Sequence, residues 1–152
     1  MILIETLPDQ SKPKGPVELL RLDWDQRKKH RQRCQTESGT EVALALERGT
    51  VLMDGLVVYN AEDRTIVVEA VPQAIIVVQP RTTYDACKIS HHLGNWHRSV
   101  QLLADGTLIV EDDGPLRRWL SSNEIEYALE QRAYQPNLRA DVHVNNLLQV
   151  NN

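Results

Sequence analysis

Three of the five histidines in this 152-residue chain lie within one short stretch: His91, His92 and His97. Neutral imidazole is the commonest transition-metal ligand in proteins, and it suits nickel, copper and zinc. His91 and His92 are adjacent, so on a helix their side chains point about 100° apart and do not chelate one ion together. His97 falls in a predicted turn and is freer to bind. A surface or helix-cap role is the more frequent meaning of such a cluster, and the residue types alone leave both interpretations open.

Catalytic signals are missing from the sequence. The chain has no GxSxG, HExxH or Gly-rich phosphate loop. Cys87 and His91 are spaced i, i+4 on one predicted helix face, but one helical turn supplies neither oxyanion donors nor a third, orienting group. The only other cysteine, Cys34, is too distant in sequence to form a CxxC site with Cys87, and both thiols are predicted to be packing residues. We therefore expect no enzymatic activity.

A predicted helix positions the histidines. Ala86, Ile89 and Leu93 follow an i, i+3, i+7 pattern, which is typical of the buried face of a helix. The helix should begin near residues 80–83 and end at Leu93, with Gly94 as its left-handed C-terminal cap. This arrangement puts His97 beyond the helix, at the mouth of a strand over residues 99–103.

The second half of the chain reads as a β-α-β-β-α-β succession. An apolar run at 74–78 precedes the helix, a hairpin turns at 104–106, and Asp113 caps a second helix that begins with Pro in its first turn. Ile125, Tyr127 and Leu129 then alternate with polar residues, as in an amphipathic strand. This order predicts an α+β, ferredoxin-like domain over 74–152. Its polar, Asn-rich end, from about residue 136, is predicted to be a mobile tail.

The first half, residues 1–73, is predicted to be a β-rich domain. Period-two patterning recurs over residues 17–71, and three of the seven glycines fall between the strand candidates. No ten-residue helical pattern interrupts them, which favours a small sandwich or a pair of sheets.

Composition and charge narrow the classes of function. With 41% apolar and 25% charged residues the chain is typical of a soluble globular protein, and no segment resembles a signal peptide or a bilayer span. We therefore expect a cytoplasmic protein that does not associate with membranes. A net charge of −4 gives no general attraction to nucleic acid. The basic segment containing Arg27, Lys28, Arg31 and Arg33 stands out: it is a surface for an acidic protein partner or RNA, or simply a solvated face.

The residues His92-Leu93-Gly94-Asn95-Trp96-His97 resemble the HLGNRH signature of the UreE family of urease accessory proteins, which are nickel metallochaperones. The resemblance extends over nearly the whole chain, to about Pro136. In the first half it is carried by Leu22, Trp24, Arg27, Arg31, Arg33, Gly39, Leu46, Arg48, Gly49, Leu52, Asp54 and Gly55.

The resemblance implies a β-rich peptide-binding domain followed by a ferredoxin-like metal-binding domain. It also implies a homodimer in which His97 of both subunits holds one nickel ion at the interface, with His92 as a nearby histidine of weaker claim. Zinc and copper are the expected competitors, because imidazole alone does not select nickel. The implied function is nickel delivery to the urease accessory GTPase and the urease maturation complex.

Three departures from the family pattern bear on this function. Trp96 replaces the usual arginine of the signature, and residues 111–114 lack the extra histidines that some relatives carry there. The His-rich tail of many members is also absent, leaving His143 as the tail's only imidazole and a candidate ligand. A single interfacial site is thus expected, without bulk nickel storage. The alternative is a metal-independent module that binds a protein or peptide through the segment from Arg27 to Arg33.

Overall fold

The computed structural model describes residues 1–138, which fall into two compact units, one over residues 1–71 and one over residues 72–138. The sequence predicts a boundary after residue 73. The second unit begins slightly earlier because Pro72 is already the first residue of a strand, a position where the missing N–H is tolerated. Each unit has its own cluster of buried apolar residues.

The first unit is β-rich, as predicted, and consists of two three-stranded sheets. Its strands and its one short helix are β1 (Ile2–Ile4), β2 (Val17–Leu22), α1 (Trp24–Lys28), β3 (Arg31–Gln35), β4 (Glu41–Ala45), β5 (Val57–Asn60) and β6 (Thr65–Ala70). The strand orders are β1-β4-β3 and β2-β6-β5, each with one parallel and one antiparallel pairing. Alternate residues such as Val42 and Leu44 enter the core, as the period of two requires.

Helix α1 has no counterpart among the elements that the sequence pattern predicts. Five residues are too few for a periodic pattern, and the helix depends on a capping box instead. The Asp23 carboxylate accepts from the Gln26 backbone N–H at 2.8 Å, and the Gln26 side-chain oxygen accepts from the Asp23 N–H at 2.9 Å. The helix buries Trp24 and Arg27 completely.

The second unit has the predicted order β-α-β-β-α-β. Its elements are β7 (Pro72–Val78), α2 (Thr83–Asn95), β8 (Gln101–Leu102), β9 (Leu108–Glu111), α3 (Gly114–Ser122) and β10 (Ala128–Ala133). The four strands form one antiparallel sheet in the order β10-β7-β9-β8. Side chains of β7 and β9 share a core with apolar residues of both helices: Ile76, Val78, Leu108, Val110, Ile89, Leu93, Leu116 and Leu120.

The last strand begins later than the alternation at 125–129 predicts. Helix α3 ends at the cap residue Asn123, and Glu124 is left-handed with a φ of 56°. The Ile125 N–H then bonds to the Leu120 carbonyl at 2.9 Å, and Ile125 packs against the core as part of the cap. Leu129, predicted to face inward, is 54% exposed. The apolar pattern there belongs partly to a helix cap and only partly to a strand.

Residues 134–138, which follow β10, make further contacts within the second unit. The buried Tyr134 hydroxyl donates to the Ser99 carbonyl at 2.5 Å. Leu138 exchanges backbone hydrogen bonds of 2.8 and 2.9 Å with Val100. The predicted mobile tail from about residue 136 is therefore wrong for residues 136–138, and its remainder lies outside the described part of the chain. Within residues 1–138, none of the helices combines the length and apolar character needed to cross a bilayer.

Candidate metal centre at the end of helix α2

Helix α2 ends in a hydrogen-bonded cap that places His97 directly after it. Trp96 is the cap residue, the His97 N–H bonds to the Gly94 carbonyl at 3.1 Å, and the Arg98 N–H bonds to the Leu93 carbonyl at 2.9 Å. These are the two bonds of a Schellman motif, whose residue after the cap is left-handed. That residue is His97, with a φ of 53°.

The predicted role of Gly94 is thus wrong. Gly94 is not among the glycines with positive φ, and the helix continues past Leu93 to Asn95. A Cβ at Gly94 would meet no heavy atom within 4 Å outside the helix's own backbone. The prediction failed because glycine is the usual left-handed residue at helix ends, whereas histidine is one of the few other residue types enriched in that conformation.

The imidazole of His97 is open to solvent. The residue is exposed, and within residues 1–138 its side chain makes no hydrogen bond, ion pair or ring contact. Its backbone, in contrast, is held by the cap. A fixed backbone with an uncommitted imidazole is what a metal-binding position needs, since the ring nitrogens are not used elsewhere.

His92 has the opposite environment. Its ring stacks on Trp119 at a centroid distance of 3.7 Å and an interplanar angle of 8°, and it meets Trp96 at 4.2 Å. Its Nε2 is buried and has no hydrogen-bond partner. Burial, and then the positive charges of His91 and Arg98, lower the pKa of His92 below its ordinary value of 6.5. In this arrangement the Nε2 of His92 is surrounded by protein atoms and is not open to a metal ion from solvent.

Arg98 connects the end of α2 to the start of α3. Its guanidinium bonds to the Asp113 carboxylate at 2.7 Å, and it lies 5.9 Å from the ring centroid of Trp96. The same carboxylate accepts from the Leu116 N–H at 3.1 Å and so caps α3. Trp96 itself, adjacent to His97, is 43% exposed. Aromatic stacking and this ion pair together fix the loop that carries His97.

The residues of the basic segment in the first unit differ in how far their side chains are buried. Arg27 is fully buried, with its guanidinium carbon 5.2 Å from the Trp24 ring centroid, which removes it from the predicted partner surface. Lys28 is half-buried and pairs with Asp25 at 3.1 Å. Arg31 and Arg33 are exposed on the same face of β3, which is an edge strand. Positive charge groups these four residues in the sequence, whereas only Arg31 and Arg33 are exposed in the folded chain.

The two other histidines of the second half are His91 and His143. His143 lies outside the described residues. His91 is exposed and shares no ring contact with its neighbour His92. Within residues 1–138 no group of three or more His, Cys, Asp or Glu side chains is arranged to hold a metal ion.

Sequence reasoning misses the side chains that support His97. It predicts Asp113 as the cap of the second helix but does not connect it to Arg98, and it does not place Trp119 against His92. The i, i+4 spacing of His92 and Trp96 is a signal for one contact of this group. The stacking of Trp119 on His92 joins helices α2 and α3, and no pattern of neighbouring residues in the sequence predicts this contact.

Comparison with known proteins confirms the resemblance over most of the chain. Residues 3–71 match the family described as the N-terminal domain of UreE urease accessory protein. A urease accessory protein UreE of Albidiferax ferrireducens is 30% identical over 145 residues, which cover 90% of this chain and 83% of the relative. One of Ectopseudomonas mendocina is 35% identical over 118 residues, covering 77% and 70%. A third, of Bacillus cereus, is 31% identical over 101 residues, covering 66% of each chain. The chain therefore belongs to the UreE family of urease accessory proteins, which are accessory chaperones and not enzymes.

Proposed function

We propose that this protein is a nickel metallochaperone that delivers nickel during urease maturation, with His97 as its principal ligand. The observation that carries the proposal is the exposed, uncommitted imidazole of His97 on a capped helix end, in a chain of the urease accessory family. Nickel is the cargo of such a protein, so the site must release the ion as well as bind it.

The donor chemistry fits nickel. A neutral imidazole nitrogen suits nickel, copper and zinc, while the harder magnesium and calcium ions prefer oxygen. Copper and zinc are therefore competitors, and selection of nickel depends on supply and on the partner that receives it. A site with few protein ligands leaves coordination positions for water or for an acceptor protein, which allows exchange without dismantling a closed cage.

A second subunit is the proposed source of a second imidazole. One His97 fills a single coordination position, and a two-fold homodimer brings the same residue from each subunit to its axis. The exposed Trp96 beside His97 supports an interface at this end of α2, since large exposed aromatic side chains are enriched at such surfaces. We assign this unit to the ferredoxin-like class, which the element order and the sheet order β10-β7-β9-β8 support.

His92 and His143 are proposed as secondary candidates for nickel ligands, after His97. The Nε2 of His92 is buried and the ring packs on two tryptophans, so we infer that His92 supports the loop while nickel is bound by His97. His143 is proposed as a tail ligand that completes the shell in one state and leaves it in another.

The proposed partners are the urease accessory GTPase and the urease maturation complex, in the cytoplasm. We infer that the exposed Arg31 and Arg33 on edge strand β3, with the half-buried Lys28 nearby in sequence, provide contacts for an acidic partner. These two arginines also favour the second candidate function, a partner-binding module that works without metal.

Nickel titration by calorimetry, together with size measurement, tests the proposal. We expect about one nickel ion per dimer, and a loss of affinity of more than about 100-fold in H97A, because a lost ligand costs at least as much as a lost outer-shell partner. The matched control H30A changes a histidine of the first unit and should bind like the wild type. Unchanged nickel binding in H97A would refute the assignment. Urease activation retained by H97A but lost in a variant with Arg31 and Arg33 both changed to Glu would favour the metal-independent module.

A further inference from the structure

The solvent side of helix α2 carries two metal-binding side chains that the proposed function does not use. Cys87 and His91 are both exposed, and within residues 1–138 neither side chain makes a hydrogen bond or an ion pair. They are separated by one helical turn, i and i+4. We propose that Cys87 and His91 together bind a thiophilic transition-metal ion, of the Zn²⁺, Co²⁺ or Ni²⁺ class, at an open two-ligand site separate from His97.

Helix geometry brings the two donors within reach of one ion. Residues spaced i, i+4 on a helix have Cβ atoms about 5–6 Å apart and face the same direction. Metal–sulfur and metal–nitrogen bonds of about 2.3 and 2.0 Å at a tetrahedral angle require the two donor atoms to be about 3.5 Å apart. Both side chains extend toward solvent from the same stripe, so ordinary rotamers span this distance. Helix residues 83–95 are regular through both positions, which keeps the spacing fixed.

The two residues lie opposite the buried face of α2. Ile89 and Leu93 define the face that enters the core, and at 100° per residue Cys87 and His91 fall near the opposite pole. Neither residue is therefore needed for packing, which would be the ordinary explanation for a cysteine. A thiolate together with an imidazole is a preferred donor pair for zinc and its neighbours.

The site is distinct from His97. Cys87 precedes Asn95, the last helical residue, by eight positions, which corresponds to about 12 Å along the axis. The Cys87 thiol and the His97 imidazole therefore do not share one coordination shell. The ion would be held by two protein donors and by water, and binding releases the Cys87 thiol proton to the buffer as the metal–sulfur bond forms.

The other cysteine provides a matched control. Cys34 lies half-buried in β3, where its thiol makes a weak contact of 3.8 Å to the Val42 carbonyl, and burial raises the pKa of Cys34. Its thiolate, the form that binds metals, is thus disfavoured. C34S should leave metal binding on α2 unchanged.

Cobalt titration of the full chain under metal-free reducing conditions tests this inference, because thiolate-bound Co²⁺ gives a charge-transfer band in the near ultraviolet. We expect the band in the wild type, in C34S and in H97A, its loss in C87S, and an affinity at least about tenfold weaker in H91A. Circular dichroism checks that C87S and H91A keep the native fold.

Three results would overturn the proposal: a band that persists in C87S, a band lost in C34S, or an H91A variant that binds cobalt like the wild type. An apparent dissociation constant for free Co²⁺ that decreases as the protein concentration rises would also overturn it, because the ion would then bridge two copies. The site does not rest on the proposed nickel function. The band expected in H97A separates the two, since loss of nickel delivery in H97A leaves the Cys87 signal in place.

Discussion

The left-handed conformation of His97 predicts that glycine at this position stabilises the fold while removing the metal ligand. A non-glycine residue in the left-handed region costs roughly 1–2 kcal/mol. Glycine gains about 0.4–1 kcal/mol of entropy in the unfolded chain, which opposes this effect. We therefore expect H97G to have a free energy of unfolding roughly 0.5–1 kcal/mol above that of H97A, measured by urea denaturation, since alanine keeps the backbone penalty and both variants lack the imidazole.

Glu124 allows the same backbone effect to be measured without the ligand. It occupies the corresponding cap position of α3, with a φ of 56°, and its N–H bonds to the Ser121 carbonyl at 3.1 Å. E124G should be stabilised over E124A by a similar amount and should bind nickel normally. Only H97G and H97A should lose nickel. The two properties, cap stability and metal affinity, are thereby measured in separate variants.

Gly94 provides the reverse test. Because it lies inside the helix and an added Cβ would meet only open space there, G94A should stabilise the protein, by up to about 1 kcal/mol. A destabilised G94A together with an H97G variant no more stable than H97A would refute the reasoning, because that outcome is expected if the left-handed cap lies at residue 94.

Three further predictions concern the surroundings of the site and the first unit. The pKa of His92 is lowered in the native state, so between its native pKa and pH 6.5 the unfolded chain binds more protons than the native one. The free energy of unfolding should therefore fall as the pH drops through this window. The variant H92F should lose that dependence in urea titrations. D113A should lower the free energy of unfolding by about 0.5–2 kcal/mol through loss of the α3 cap, and further through loss of the bond to Arg98. D113N keeps a capping oxygen and should lower it less. Equal losses in the two variants would contradict the capping role. G15A should destabilise the first unit, because the new Cβ would lie 2.6–2.7 Å from backbone atoms, and a wild-type melting temperature would contradict this packing.

Much of the second unit is predictable because its signals are local. The buried stripe of α2, the Asp113 cap with the following proline, and the turn at Gly106 each depend on a few neighbouring residues. The prediction fails where two local signals compete. The helix end is predicted at Gly94 because glycine is common at helix ends, although α2 continues to Asn95. The alternation over residues 125–129 predicts a strand, although Ile125 belongs to the cap of α3.

The surroundings of His97 depend on contacts between distant residues. Trp119 reaches His92 across 27 positions of sequence, and Arg98 reaches Asp113 between two helices. Periodicity reports which face of an element is buried, but not which neighbour covers it. The burial of Arg27 is of the same kind, since a run of positive charge predicts an exposed segment, whereas the folded chain buries Arg27 beside Trp24.

The candidate donors and their order along the chain are predictable without a structure: a histidine cluster, the six-residue signature, and the β-rich and β-α-β-β-α-β halves. These follow from residue type and spacing, which act over a few residues. Which histidine is open to a metal ion, in contrast, depends on packing between distant residues. His97 is open because its backbone forms the left-handed cap of α2, and His92 is enclosed because two tryptophans from different elements pack on it. Availability is decided by which groups surround a side chain in space, and those groups come from remote parts of the sequence.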